Sequence, residues 1–269
     1  MQRALVTGAS RGIGRALVAE LVGRGLEVIA TARRADDLAG LPAVARLPLD
    51  VTSDASVAAA AEAAGRVDVL VNNAGISVGA PVEDTPAGVA LAMFDTNVVG
   101  PLRLIKAFLP GMRERGGGTV VNVSSVGGQV AFPLNGANAA SKHALEALSE
   151  TLAVEVRRFG VRVLVVQLGG VATGMYEKQE RYFSPTYADL DRAQQDAYQD
   201  HRARQVDLTA EQAARGIADA IADAGGPLRV PVGGDAARII AARARLDAAA
   251  WAAQAGGFAQ PESKESDLT

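Results

Sequence analysis

The stretch "VTGASRGIGRAL" at residues 6–17 decides the fold. A short apolar run, "RALVT", leads into it, glycines stand at positions 8, 12 and 14, and a helix opens out of it. Glycines at a strand-to-helix turn let the backbone fold back tightly, approach a pyrophosphate and pack helix against strand, while the free N–H groups and dipole of the new helix favour an anion. The spacing is GxxxGxG rather than GxGxxG, and no GK[ST] of a nucleotide triphosphate loop accompanies it. The turn is therefore expected to hold a dinucleotide.

Outward from that turn the chain keeps one rhythm. The runs "RALVT", "EVIAT", "RLPLDV", "VDVLVNNAG", "TVVNVSS", "VRVLVVQL" and "LRVPVG" alternate with Ala-rich, helix-length segments. Most of these runs are apolar without alternation, as parallel strands covered on both faces are. The expectation is an α/β, Rossmann-type doubly wound fold: about seven parallel strands, helices on both faces and a lid insertion after the sixth strand. That insertion, residues 174–206, is polar and aromatic. Ligands of open α/β sheets bind beyond the carboxyl ends of the strands, so it is placed to cover a substrate, although its composition suits a surface helical excursion equally. One domain is expected over 1–256, and the polar end "GGFAQPESKESDLT" is expected to be disordered from 257.

Composition narrows the function. The 269 residues are 49% hydrophobic and 21% charged, with no cysteine and two histidines, His143 and His201. Thiolate metal sites and disulfides are thus excluded, and no metal is expected. A net charge of −3 with interleaved arginines and acids offers no broad basic face for nucleic acid. No run is read as reaching the roughly 18 apolar residues of a membrane span, and "MQRALVTG" enters a strand without a leader, so a cytoplasmic location is expected. At the end of the second strand, "VIATARRADDL", a carboxylate would select NAD by its ribose hydroxyl, whereas guanidinium groups select a 2′-phosphate. Arg33 and Arg34 stand there, with Arg11 in the glycine turn, and Asp36 and Asp37 follow. NADP(H) is favoured over NAD(H).

Further motifs resemble the short-chain dehydrogenase/reductase family. "TGASRGIG" (7–14) resembles its dinucleotide turn, "NNAG" (72–75) its motif after the fourth strand, Asn97 the asparagine of its central helix, and "VVNVSS" (120–125) its fifth strand, which ends in the active-site serine. "ASKHALEAL" (140–148) resembles its catalytic helix and "GGVATGM" (169–175) the loop that holds the nicotinamide amide. "RVPVGGDA" further resembles the seventh strand of members acting on hydrophobic ketones and hydroxysteroid-like substrates. The resemblance implies hydride transfer at nicotinamide. It assigns cofactor contacts to Gly8, Ser10, Arg11, Gly12, Ile13, Gly14, Arg33, Arg34, Asp50, Val51, Asn73, Ala74, Gly75, Lys142, Gly169, Val171 and Thr173, and catalytic places to Ser125, Asn138, Lys142 and Asn97. A small-molecule substrate and a homodimer or homotetramer are implied as well.

The resemblance fails at one decisive place. The family pairs its lysine with a tyrosine four residues earlier and thirteen after the serine; counting from Lys142 and from Ser125 gives position 138, which is asparagine. A carboxamide polarises a carbonyl by hydrogen bonding but has no proton to release near neutral pH, and loss of a positioned general acid costs about 10² to 10⁴ in rate. Leu168 stands where the family has proline, which adds bulk beside the expected nicotinamide. All four tyrosines, Tyr176, Tyr182, Tyr187 and Tyr198, fall in the lid, where one of them, or His201, offers a substitute proton or simply packs. His143 points about 100° away from Lys142 on the helix and reads as structural. Three functions remain: an atypical oxidoreductase on a small apolar carbonyl, hydroxyl or conjugated substrate; a redox-neutral isomerase, dehydratase or cyclase; and a binding protein without catalysis, against which the intact cofactor motifs argue.

Overall fold

The computed structural model describes residues 1–173, 180–203, 208–247, 249–251 and 253. Seven strands form one sheet in the order β3-β2-β1-β4-β5-β6-β7. They are β1 (Arg3–Val6), β2 (Glu27–Ala32), β3 (Ala45–Pro48), β4 (Val69–Asn72), β5 (Gly118–Ser125), β6 (Val161–Leu168) and β7 (Arg229–Val232). Every neighbouring pair is parallel. The sheet is the doubly wound one that the sequence implies. Its strand order reverses between β1 and β4, which opens a crevice at their carboxyl ends.

Residues of either strand face alternate between two apolar layers. In β1, Ala4 and Val6 enter one cluster and Leu5 the other; in β2, Val28 and Ala30 oppose Ile29. The first layer is closed by α1 (Gly12–Gly23) and α7 (Ala210–Ala222). On α1, Gly14, Leu17, Val18 and Leu21 are buried, the i, i+3, i+4, i+7 spacing of a helix with one inward stripe. On α7, Ala213, Ala214 and Ala218 flank Ile217, so small side chains let the two helices lie close. Thr209 starts α7 with a capping box: its hydroxyl accepts from Gln212 N, and Gln212 returns a bond to its N–H.

The second layer is built by α2 (Asp54–Ala64), α4 (Gly100–Glu114) and α5 (Gly136–Val156), with α3 (Ala87–Phe94) leading into α4 through a π-turn at Asp95–Val99. The helix α6 (Ala188–Ala203) lies within the expected insertion, and α8 (Gly234–Ala244) follows β7. The continuous helix Ala87–Glu114, 28 residues with a mean hydropathy of 1.2 in its most apolar window, is long and apolar enough to cross a membrane. Asp95, Arg103 and Lys106 interrupt it, so it holds no unbroken apolar run of the length that the sequence reading requires, and a core helix meets the same criterion of length and composition. Here its inward stripe, Leu104, Ile105, Phe108 and Met112, packs on the sheet. The tail from 257 lies outside the described residues.

Candidate active site

The glycine turn is closed by contacts that reach across the sheet. Gly8 takes φ +67°, and a Cβ on Gly14 would come within 2.4 Å of the Gly8 carbonyl and 2.6 Å of Asn73 Nδ2, so α1 starts this close to β4 only with glycine there. Buried Thr7 fastens the two segments: its hydroxyl donates to Val71 O at 3.2 Å and accepts from the N–H groups of Asn73 and Ala74, each at 2.9 Å. Asn73 Nδ2 returns a bond to Thr7 O at 2.8 Å. The N-cap residue of α1, exposed Arg11, makes no side-chain cap, and the first turn holds no acid. The leading N–H groups beside Ser10, Gly12 and Ile13 are therefore open to an anion. A glycine cradle with this uncapped helix start fits a dinucleotide pyrophosphate.

The loop after β6 passes over the same turn, since a Cβ on Gly12 would lie 3.4 Å from Thr173. It is pinned by Gly169 N to Val232 O (3.1 Å), Gly170 N to Asp235 Oδ2 (3.0 Å) and a bridge between Val171 and Leu208. At the other rim, Arg33 and Arg34 follow β2 with exposed side chains, and Arg34 reaches Asp37 only at 3.8 Å. Asp50 is held below the usual carboxylate range, first by the Thr52 hydroxyl at 2.7 Å and then by the Thr52 N–H, with charge from Arg33 adding to it. The Val51 side chain belongs to the second core layer.

A second seam joins the π-turn to α5. Asn97, 1% exposed, donates through Nδ2 to Ile76 O (2.9 Å) and Ser141 Oγ (3.0 Å) and accepts Ile76 N at Oδ1 (2.9 Å). Ser141 Oγ then donates to the carbonyl of Asn138 (2.8 Å). Asn138 itself is half-buried in the first turn of α5, one turn ahead of Lys142. Lys142 Nζ donates to Val123 O at 2.9 Å, just before the serine end of β5, and would lie 3.9 Å from a Cβ on Gly75. Packing around the ammonium pushes its pKa down from 10.5 to about 8, with Glu146 opposing the fall.

Of the two serines, Ser124 is 3% exposed and turned to Glu146, whereas Ser125 is half-buried and accepts the N–H of Gly127 at 3.1 Å. The loop into α5 carries Leu134 in the left-handed region at φ +62°. Trp251 holds that loop, donating through Nε1 to Ala131 O at 3.0 Å and meeting the Phe132 ring edge-on at 6.0 Å.

The lid is tied down by acids. Gly79 N donates to Glu180 O and Tyr182 N to Gly79 O, while Ser184 N donates to Asp84 at 2.6 Å. The phenols of Tyr182 and Tyr187 donate to Glu180 (2.5 Å) and Glu83 (2.6 Å), and these bonds raise both phenol pKa values. A phenol so held gives up its proton less readily, which weighs against either as a substitute acid. Tyr176 and the side chains of Tyr198 and His201 lie outside the described residues. His143 is exposed and bonds Ala139 O on its own helix at 2.9 Å. Leu168 corrects the expectation of bulk beside the nicotinamide: it is 5% exposed and packs into the first core layer, because the β6 pleat turns Gln167 to the other face.

The geometry also brings in residues that the motif reading passed over: Thr7, Ser141, Glu146, Gln167 and Arg229. A lone glutamine in the valine-rich run "VRVLVVQL" was the visible signal for one of them.

The short chain dehydrogenase family profile matches residues 2–182. The chain belongs to the short-chain dehydrogenase family. It is 41% identical over 190 residues to human 17-beta-hydroxysteroid dehydrogenase type 1, covering 65% of this chain and 58% of that one, so it spans less than two thirds of the human enzyme's length. An uncharacterized oxidoreductase of Schizosaccharomyces pombe is 36% identical over 210 residues, 76% of this chain and 88% of the relative. Among solved short-chain dehydrogenases, one from Streptomyces avermitilis superposes with a TM-score of 0.81 at 40% identity, covering 90% and 92% of the two chains. Another, from Burkholderia cenocepacia in complex with NADP, gives 0.78 at 29% identity, covering 97% and 100%.

Proposed function

We propose that this short-chain dehydrogenase is an NADP(H)-binding oxidoreductase for a small, largely apolar carbonyl, hydroxyl or conjugated substrate, with ordinary ketone reduction impaired at Asn138. The observation that carries the reading is the placement of Asn138 one helical turn before Lys142, with Lys142 anchored at the serine end of β5. Bound nicotinamide supplies the hydride. Gly8, Gly12 and Gly14 hold the pyrophosphate against α1; Arg33, Arg34 and Arg11 bind a 2′-phosphate; Asp50, Val51, Asn73, Ala74 and Gly75 line the crevice; and Lys142 holds the ribose. The segment Gly169–Thr173 takes the amide. Ser125 and Asn138 hydrogen-bond the substrate oxygen and polarise it, and Asn97 fixes the first turn of α5 through Ser141. Exposed Val82, next to Glu83 and Asp84 that bond Tyr187 and Ser184, favours an apolar substrate. The test is to follow nicotinamide absorbance with NADPH or NADH against a panel of apolar ketones and enones. Robust reduction of simple ketones by the unaltered chain sinks the claim about Asn138.

A second reading, a redox-neutral isomerase, dehydratase or cyclase, is favoured by the same asparagine: it orients and polarises without releasing a proton. It predicts turnover without net change in the nicotinamide. Homodimerisation is supported by a shallow groove of about 170 Å³ between α4 and α5, lined by Leu102, Ile105, Leu145, Leu148 and Leu152, with Leu102 and Leu148 left 41% and 42% exposed.

A further inference from the structure

One buried acid takes no part in the reading above. Glu146 is 2% exposed and stands four residues after Lys142, on the same face of α5. Its carboxylate accepts from Ser124 Oγ (2.9 Å), Gln129 Nε2 (2.5 Å), Gln167 Nε2 (3.0 and 2.9 Å to its two oxygens) and Arg229 Nε (3.0 Å). The donors come from the end of β5, the loop after it, β6 and β7. Burying a carboxylate costs several kcal/mol unless its lone pairs are met, and these donors meet them. The loop closes on it so tightly that a Cβ on Gly128 would stand 2.2 Å from Oε1 and 2.6 Å from Ser124 Oγ.

A cross-link between strands does not require a charge. What a carboxylate adds is its field, which Arg229 meets directly at 3.0 Å and which also reaches Lys142, one helical turn back on the same face of α5, whose ammonium bonds the Val123 carbonyl. The groups facing this corner from the packed elements are Ser124 on β5, Gln129 on the following loop, Gln167 on β6 and Asn97 on the π-turn, all uncharged; Arg229 on β7 is charged and shared with Glu150 at 2.8 Å.

We infer that Glu146 is a positioning residue of the active site: through Ser124 and Gln129 it fixes the end of β5 that carries Ser125, and from one helical turn away it supplies the negative charge that faces Lys142. The inference rests on the reading that Lys142 holds the cofactor.

The experiment titrates NADPH binding to the full chain against pH, by nicotinamide fluorescence, for the unaltered protein, Glu146→Gln, Arg229→Gln and Lys142→Met. The unaltered protein should lose affinity as pH rises through about 8, where the ammonium deprotonates. Glu146→Gln should move that loss to lower pH by roughly one unit, while affinity at the acid end changes less than about threefold. Arg229→Gln, which leaves Glu146 less neutralised, should move it the other way and serves should the first variant fold poorly. A purely architectural Glu146 would weaken binding at every pH without moving the midpoint, and an unmoved midpoint in both variants overturns the inference. Should the unaltered protein show no loss near pH 8 and Lys142→Met bind normally, it is the role of Lys142 that falls, and this inference with it.

Discussion

The two faces of the sheet differ in kind at their carboxyl ends. Toward α1 and α7 the strands stay apolar to their last residues: Val6, Val71, Val123 and Leu168 are all buried in one cluster. Toward α5 the same strands begin apolar, with Leu70, Val120 and Val163, and end polar, with Asn72, Asn122, Ser124 and Gln167. Those polar ends pair in register, Asn72 with Asn122 and Ser124 with Gln167, and Asn122, Ser124 and Gln167 bond Ser149 or Glu146 of α5, while Asn72 Oδ1 is left without a partner among the described residues. The first face is held by apolar packing, where volume and shape decide which side chains fit. The second is a network in which each member needs its partner, and it is there that chemistry can be built.

The sharpest way to break the comparison is to alter the chemistry of the polar face without disturbing its frame. Asn138→Tyr should raise kcat/KM for NADPH-dependent ketone reduction by about 10² to 10⁴, measured with a simple apolar ketone. No gain, with folding intact, would mean that the polar face has been rebuilt for other chemistry. Next, Lys142→Met should stabilise the fold by up to about 3 kcal/mol, less the bond to Val123, because burial depresses the lysine from 10.5 to about 8. The sign follows from the depressed lysine: the cost of the buried ammonium is present in full below pH 8 and fades as pH rises toward 10.5. Thermal midpoints of the two proteins should therefore converge over that range, and a constant gap would contradict it.

On the cofactor rim the expected effect is smaller. Arg33→Ala with Arg34→Ala should cost about 10- to 100-fold in NADPH affinity and leave NADH binding unchanged, since a guanidinium–phosphate bond contributes roughly 1.5–3 kcal/mol. Equal losses for both nucleotides would remove the basis for preferring NADP(H). Last, Leu148→Glu lies on the outer side of α5; it should convert a dimer to a monomer in light scattering while the thermal midpoint shifts by only a few degrees.

The same contrast explains what the sequence made legible. The glycine turn, the strand rhythm and the lysine helix are local signals: spacing along the chain equals spacing in the fold, so Gly8, Gly14 and Lys142 could be placed before any coordinates. The polar network is long-range. Glu146 meets Gln167 and Arg229 across 21 and 83 residues, and in sequence it is one acid of a helix whose other acids are solvated. Leu168 misled for a related reason: its neighbour in sequence suggested the crevice, while the pleat sent its side chain to the opposite layer. The run Ala87–Glu114 shows the converse, an apolar helix whose meaning depends on what it packs against.

Trp251 is the chain's only tryptophan, and its indole hangs on the backbone of Ala131, a few residues ahead of Asn138. The protein thus carries an intrinsic optical label on the segment that feeds its reactive helix. Any rearrangement of residues 131–135 that breaks this bond changes the polarity around the ring, and the emission of an otherwise tryptophan-free background reports it without a dye.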